Sequence, residues 1–225
     1  EKAQFMRVMV HELKSPAAAA KMMTDLLDVH EVENPKVKSL HSRIAKRMDE
    51  MIELIQDILV LAKMKSGDPM GEIAVLNLVE EIVECCNRYD EQAREKGLTM
   101  NVSLPESPVP VRMDNQACRL VLSNLISNGV KYTQNGAVRV SLRCEEPWAV
   151  LDVQDTGIGI PARDIPRLFR EFFRASNAKS SNIRGSGVGL AGVKDIVERF
   201  GGELALESVE NEGSTFTVRL PMYVA

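Results

Sequence analysis

The sequence predicts an α+β protein in two parts: an N-terminal helical hairpin, then an α/β sandwich in which helices cover one face of a sheet. Three observations lead there. No glycine occurs before Gly67. Apolar residues in that first stretch recur every three or four positions, the period of a helix. Beyond Gly67 the chain alternates short β-rich runs with amphipathic stretches, the pattern of mixed sheet and helix layers.

Taken in order, the first helix carries Phe5, Val8, Met9, Ala20, Met23 and Leu27. After a turn over Val29 to Asn34, Asn34 offers an N-cap and Pro35 a favoured first helical residue. A long second helix follows, with Val37, Leu40, Ile44, Met48, Met51, Ile55, Ile58 and Ala62 along one seam and Gly67 as its stop. A lone hairpin leaves one apolar flank wet. Pairing with a second copy would bury that flank in a four-helix homodimer, and packing against the downstream domain is the alternative.

Residues 1–66 are thus expected to form one domain, 67–72 a linker, and 73–225 a second domain. Strands are predicted at Ile73–Leu76, Leu98–Leu104, Val138–Cys144, Ala149–Gln154, Glu203–Ser208 and Thr215–Leu220. Helices are predicted at Leu78–Lys96, Asn115–Tyr132, Ala162–Phe169 and Val188–Phe200, with Gly97 closing the first and Asp114 capping the second.

The 225 residues are 44% hydrophobic and 27% charged. Unbroken apolar runs reach only about five residues, as at Ile58–Ala62, far short of a bilayer span. The 28 basic and 32 acidic residues give a net charge of −4, which disfavours nucleic acid and anionic lipid as partners. Cys85, Cys86, Cys118 and Cys144 lack the spacing of a zinc site or disulfide framework and fit free thiols in a reducing cytoplasm. The chain opens at Glu1 and carries no leader, so a piece of a longer protein is expected, with any membrane anchor upstream.

Three kinds of segment carry chemistry, the first of them two glycine-containing stretches. Gly185, Gly187 and Gly189 precede a predicted helix, and Asp155-Thr156-Gly157-Ile158-Gly159-Ile160-Pro161 ends a predicted strand. Glycines let backbone amides approach a polyphosphate, and a helix beginning near Val188 would aim its positive end at the anion. No Walker-type phosphate loop is present. Asp155 suits an exocyclic amino group such as that of adenine, to which a carboxylate offers an acceptor. In the helix Asn115–Tyr132, Asn124, Asn128 and Lys131 share one face. An asparagine oxygen there can join the octahedron of Mg2+, and Lys131 can neutralise phosphate; the alternative is a merely solvated face. Third, His11-Glu12-Leu13-Lys14-Ser15-Pro16 sets a carboxylate beside an imidazole. A nitrogen of His11 can attack phosphorus while unprotonated, with Glu12 accepting the proton on the other nitrogen. Pro16 would bend the helix beside them. His30 and His41 have no such neighbours.

These motifs resemble the sensor histidine kinase family of two-component signalling, over nearly all of the chain. His11–Pro16 is similar to its H box, Asn124–Lys131 to its N box, Asp155–Pro161 to its first glycine box, Phe169–Arg174 to its phenylalanine box and Gly185–Leu190 to its second glycine box. The resemblance implies a homodimeric histidine phosphotransfer domain followed by an ATP-binding domain of the Hsp90, gyrase, MutL and histidine kinase type. It implies ATP and Mg2+ as cofactors, with Asn128 on the metal, Asn124 assisting, Lys131 and Arg174 at the phosphates, Tyr132 near adenine and Asp155 on its amino group. Gly157, Gly159, Gly185, Gly187, Gly189 and Leu190 would shape the pocket, and Ala175–Arg184 would form a mobile lid.

The activity implied is autophosphorylation of His11 and transfer to an aspartate in the receiver domain of a response regulator, in the cytoplasm. Ser15 stands where many relatives carry Thr or Asn for dephosphorylation, so a hydroxyl is kept and a methyl lost. Val188 and Gly192 are mild variations. Other classes remain open: an ATP-binding scaffold without turnover, or an ATPase clamp that does not need His11.

Overall fold

The computed structural model describes residues 17, 18, 20–23, 37, 40–45, 48, 51, 55, 71–181, 183 and 187–224. They fall into two compact units, one within residues 1–68 and one within 69–183 and 187–225. In the first unit every described residue is helical, including Val37, Leu40, Ile44, Met48, Met51 and Ile55 of the predicted seam. Val37, Leu40, Ile44 and Met51 are 40–54% exposed, whereas Ile55 is buried. The turn over Val29 to Asn34, the segment His11–Pro16 and the linker residues 67–70 lie outside the described residues.

The second unit is a mixed sandwich of seven strands and four α-helices among the described residues. It runs β1 (Ile73–Asn77), α1 (Leu78–Glu95), β2 (Thr99–Ser103), β3 (Pro110–Asp114), α2 (Asn115–Tyr132), β4 (Ala137–Glu145), β5 (Trp148–Asp155), α3 (Ser176–Ser180), α4 (Gly189–Arg199), β6 (Glu203–Val209) and β7 (Gly213–Pro221). Five strands form the main sheet in the order β2-β4-β5-β7-β6. The β2–β4 pair is parallel and the other pairs are antiparallel.

Period-2 alternation decides which face is buried. Cross-strand rows Val140–Val153–Phe216 and Leu142–Leu151–Val218 turn to the helices and are buried. On the opposite face Arg143 pairs with Glu145 and Asp152, and Arg139 donates to Gln154 at 3.2 Å. Helix α2 lies between α1 and α4 over the sheet, burying Val121, Leu122, Leu125, Ile126 and Val130.

Both long helices start behind a side-chain cap, Asp114 as expected and Asn77 in addition. Asn77 accepts from the amide of Val79 at 3.3 Å, and Glu80 and Glu81 follow in the first turn of α1, where acidic groups oppose the helix dipole. Asp114 caps α2 by accepting from the amide of Ala117 at 3.0 Å, and its second oxygen accepts from the amide of Gly71. Asp114 is 2% exposed, so its removal strands two amides. Asp114→Ala is expected to destabilise this unit by about 2 kcal/mol in urea titration, the sum of a lost cap and an orphaned donor.

Four sequence expectations need correction. Ala162–Phe169 is not an α-helix: it is a run of turns holding a single 3-10 turn, Ile165–Arg167. Pro166 has no N–H to donate and fits only the first positions of a helical turn. Strand β3 went unseen because Pro105, Pro108 and Pro110 read as loop. It pairs with β1 in a separate two-stranded sheet, Ile73 opposite Asp114 through Asn77 opposite Pro110, so β1 is not part of the main sheet. The short α3 was likewise unpredicted, its five residues carrying little periodic signal.

Candidate functional site

The carboxyl end of β5 meets the carboxyl end of α2. There the row Val138–Asp155–Ser214–Ser208 closes the sheet. Gly129, in the last turn of the predicted helix, is what permits close approach. A Cβ on it would stand 3.0 Å from the Val138 side chain and 3.8 Å from Cβ of Asp155. Asp155 is 7% exposed. Its Oδ1 accepts from the amide of Gly157 at 2.8 Å, and the amide of Ser214 also donates to the carboxylate. Burial pushes its pKa up to about 6, against the downward pull of those two amides.

Gly157 packs so tightly on the end of α2 that a Cβ would lie 2.5 Å from the Tyr132 carbonyl oxygen and 2.7 Å from Oδ1 of Asp155. The next amide, Ile158, donates to that same carbonyl at 3.2 Å. Strand end and helix end are therefore stitched through Tyr132. Gly159 adopts φ +59°, and a side chain there would run into the Val209 carbonyl. The loop is tied at its far side by Ile160, whose amide donates to Oγ of Ser208 at 2.8 Å, and by Asn211, whose amide donates to the Ile158 carbonyl at 2.8 Å.

The second wall is the head of α4. Gly189 opens that helix, and Val188 before it supplies no side-chain cap, so the helix begins with amides and a positive dipole end suited to an anion. A Cβ on Gly189 would collide with Oδ1 of Asn124. The Asn124 amide nitrogen is held by the Leu120 carbonyl at 3.0 Å. Asn128, Lys131 and Tyr132 are half-buried further along α2, and Nζ of Lys131 is 5.9 Å from the Tyr132 ring centre.

Thus Asn124, Asn128, Lys131, Tyr132, Asp155, Gly157, Gly159, Gly187, Gly189 and Leu190 all belong to one unit and to segments converging on α2. His11, Glu12, Ser15 and Gly185 lie outside the described residues. Arg174 is engaged locally: its Nη2 donates to the Ala178 carbonyl at 3.3 Å and to the Ile183 carbonyl, while its buried Nε has no partner among the described atoms. It joins both ends of the segment that contains α3.

Sequence reasoning missed Asn177, whose side-chain amide donates to the carbonyls of Ile158 and Gly159 at 3.2 and 2.9 Å and so ties α3 to the first glycine segment. It also missed Gly129, although an isolated glycine inside a helical pattern is a known sign of close packing.

A cluster of three or more acidic, histidine or cysteine ligands for a metal is absent among the described residues. A side-chain amide oxygen on α2, such as that of half-buried Asn128, is a donor that could join a Mg2+ octahedron otherwise completed by phosphate and water oxygens. An open cleft of about 460 Å3 adjoins α3, lined by Arg167, Arg170, Phe172, Phe173 and Lys179 among others. Among the described residues no helix is long and apolar enough to cross a membrane.

Comparison with known proteins gives the family. Residues 1–67 match the His Kinase A (phospho-acceptor) domain. Residues 113–224 match the histidine kinase-, DNA gyrase B- and HSP90-like ATPase family. The phosphate regulon sensor protein PhoR of Pseudomonas aeruginosa is 36% identical across 92% of this chain and 47% of its own length. Sensor histidine kinase RcsC of Escherichia coli K12 is 30% identical across 100% of the chain and 24% of its own. The chain spans about half or less of the length of these curated relatives.

Among solved structures, full-length ShkA in complex with AMPPNP shares the fold at TM-score 0.80 and 21% identity, covering 100% of this chain and 47% of ShkA. The mycobacterial sensor histidine kinase MprB matches at TM-score 0.58 and 26% identity, over 68% of this chain and 100% of MprB. With a phospho-acceptor domain in front, an ATPase-type domain behind, and described residues of both glycine boxes set against the helix that carries the N box, the chain belongs to the sensor histidine kinase family.

Proposed function

We propose that this chain is an ATP-dependent protein-histidine kinase that phosphorylates His11 and passes the phosphoryl group to an aspartate of a response regulator receiver domain. The observation that carries the reading is the convergence of both glycine segments on α2, with Gly157 against Tyr132 and Gly189 against Asn124. That convergence leaves Asp155 buried and without an ion-pair partner among the described residues, which suits adenine recognition.

In this reading residues 1–66 form the phosphotransfer domain, 67–72 the linker and 73–225 the nucleotide domain. Asp155 accepts from the adenine amino group and Tyr132 flanks the base. Asn124 and the uncapped amides of α4 meet phosphate oxygens, and Lys131 places its charge at the same end. Arg174 couples the segment around α3 to that end. Asn128 offers its oxygen to Mg2+, which when bound neutralises polyphosphate charge. His11 attacks the γ-phosphorus in line: an N–P bond forms, the P–O bond to ADP breaks, and Glu12 accepts the hydrogen bond from the other ring nitrogen as positive charge develops there. Ser15 keeps a hydroxyl near this centre for regulator dephosphorylation. The exposed seam residues Val37, Leu40, Ile44 and Met51 suit burial by a second copy, and a cytoplasmic location fits the partners proposed.

The test is incubation with labelled ATP and Mg2+. Label stable to base, labile to acid and absent from His11→Ala is the expected result, and label retained in His11→Ala overturns the assignment. Tight nucleotide binding without label favours the scaffold reading, and steady phosphate release independent of His11 favours the ATPase clamp.

A further inference from the structure

The last turn of α2 has an unusual solution to a general difficulty. The final four carbonyls of any helix lack intrahelical donors, and this helix has no glycine after it to close with a left-handed turn. Thr133 leaves in an extended conformation instead, with its amide and Oγ1 both donating to Gly129 O, at 3.2 and 2.7 Å. Tyr132 O is taken by the amide of Ile158. The remaining carbonyls, of Val130 and Lys131, are reached from another helix: Nζ of Lys96 donates to them at 2.7 and 3.1 Å, and to Thr133 O at 3.4 Å.

Lys96 is itself fixed. It is the C-cap of α1, its amide bonded to Ala93 O at 3.1 Å, and Gly97 at φ +72° closes the turn behind it. Its ammonium therefore sits at the negative end of the α2 dipole, with a position dictated by α1.

We infer that Lys96, which belongs to none of the family motifs quoted above, is a positioning residue for the nucleotide: it clamps the last turn of α2 so that Tyr132 stays against Ile158 and Gly157, and Asp155 stays aimed at the base. The inference rests on reading the pocket as an ATP site. Three carbonyls and one ammonium hold a turn whose next carbonyl is the seat of the first glycine segment. Without the ammonium, those carbonyls must turn toward water, and the turn that carries Tyr132 loses its fixed distance from β5.

The test compares Lys96→Met, which keeps the stem and loses the donors, with Lys96→Arg, which keeps a cation. Nucleotide affinity is measured by calorimetry with a non-hydrolysable ATP analogue and Mg2+, and the rate of autophosphorylation at saturating ATP is measured beside it. K96M is expected to weaken binding about tenfold, the loss expected of one charge-assisted hydrogen bond, with the saturated rate within about twofold of wild type. K96R should recover most of the affinity.

Arg119→Ala, which breaks the α1–α2 ion pairs with Glu81 and Glu84, controls for general loosening and should leave affinity unchanged. Equal loss in R119A and K96M, unchanged affinity in K96M, or no recovery in K96R overturns the clamp. Where K96M does not fold, Lys96→Gln replaces it: a partial loss supports the clamp and wild-type affinity overturns it. Wild-type protein that binds no nucleotide overturns the site reading itself, a result distinct from wild-type binding with an indifferent K96M.

Discussion

Asp155→Asn is expected to weaken ATP binding about 100-fold or more while abolishing the pH dependence of stability contributed by this one side chain. In the free chain the carboxylate is held by the amides of Gly157 and Ser214 but is buried without a neutralising cation among the described residues, and its pKa stands near 6 against 3.8 when unfolded. A folded pKa above the unfolded one means that the folded state holds the proton more tightly. The group therefore opposes folding above about pH 6, and that penalty fades as pH falls through the window from 6 to 3.8. Its full size is about 3 kcal/mol. Asparagine carries no charge and has no such window, so the stability difference between D155N and wild type should move by about 3 kcal/mol between pH 7.5 and pH 4, in favour of the variant at the higher pH.

Binding runs the other way. In the proposed site the ionised carboxylate would accept from the base while Gly157 and Ser214 donate to it, three donors that one amide oxygen cannot serve. Wild-type affinity should fall about tenfold between pH 7 and pH 5, and D155N should be weak and flat over the same range. Chemical denaturation and calorimetry at matched pH read both effects. A D155N protein that binds ATP like wild type would remove Asp155 from the site.

The residues that proved legible in the sequence are those whose role is local or steric. Asp155 through Gly159 could be read because a strand-ending aspartate followed by alternating glycines has few structural uses, and Asp114 because a cap acts within three residues of itself. Asn124 and Asn128 could be placed on one face by helical spacing alone. What depended on contacts across the chain was not readable. Lys96 looks like any surface lysine at a helix end until Val130, Lys131 and Thr133 are brought to it. Asn177 sits in a polar stretch without period, and its partners Ile158 and Gly159 are some 18 residues away. Strand β3 was hidden by three prolines that its edge position and the pairing with β1 tolerate. The apparent helix at Ala162–Phe169 had the apolar spacing but lacked a backbone donor in its interior, since Pro166 has no amide hydrogen.

Gly157→Ala and Gly189→Ala separate the two ends of the pocket, because the added methyl meets different kinds of obstacle. At Gly157 it meets backbone: the Tyr132 carbonyl oxygen at 2.5 Å and its carbon at 2.8 Å, with Oδ1 of Asp155 at 2.7 Å. That carbonyl ends a helix and is already bonded to Ile158, so it cannot yield without moving the turn of α2 or the end of β5. The expected cost is about 2–3 kcal/mol of stability and about 100-fold or more in affinity for ATP and for adenosine alike. At Gly189 the methyl meets the outer end of the Asn124 side chain, which can rotate away at the loss of its bond to Leu120 O. Alanine also suits the first turn of a helix better than glycine does. G189A should therefore keep wild-type stability within about 1 kcal/mol and bind adenosine normally, yet lose about tenfold in ATP affinity as Asn124 leaves the phosphate end. Adenosine binding lost in both variants would mean that the head of α4 shapes the base pocket too, and the division of labour drawn between Asp155 and Asn124 would fail.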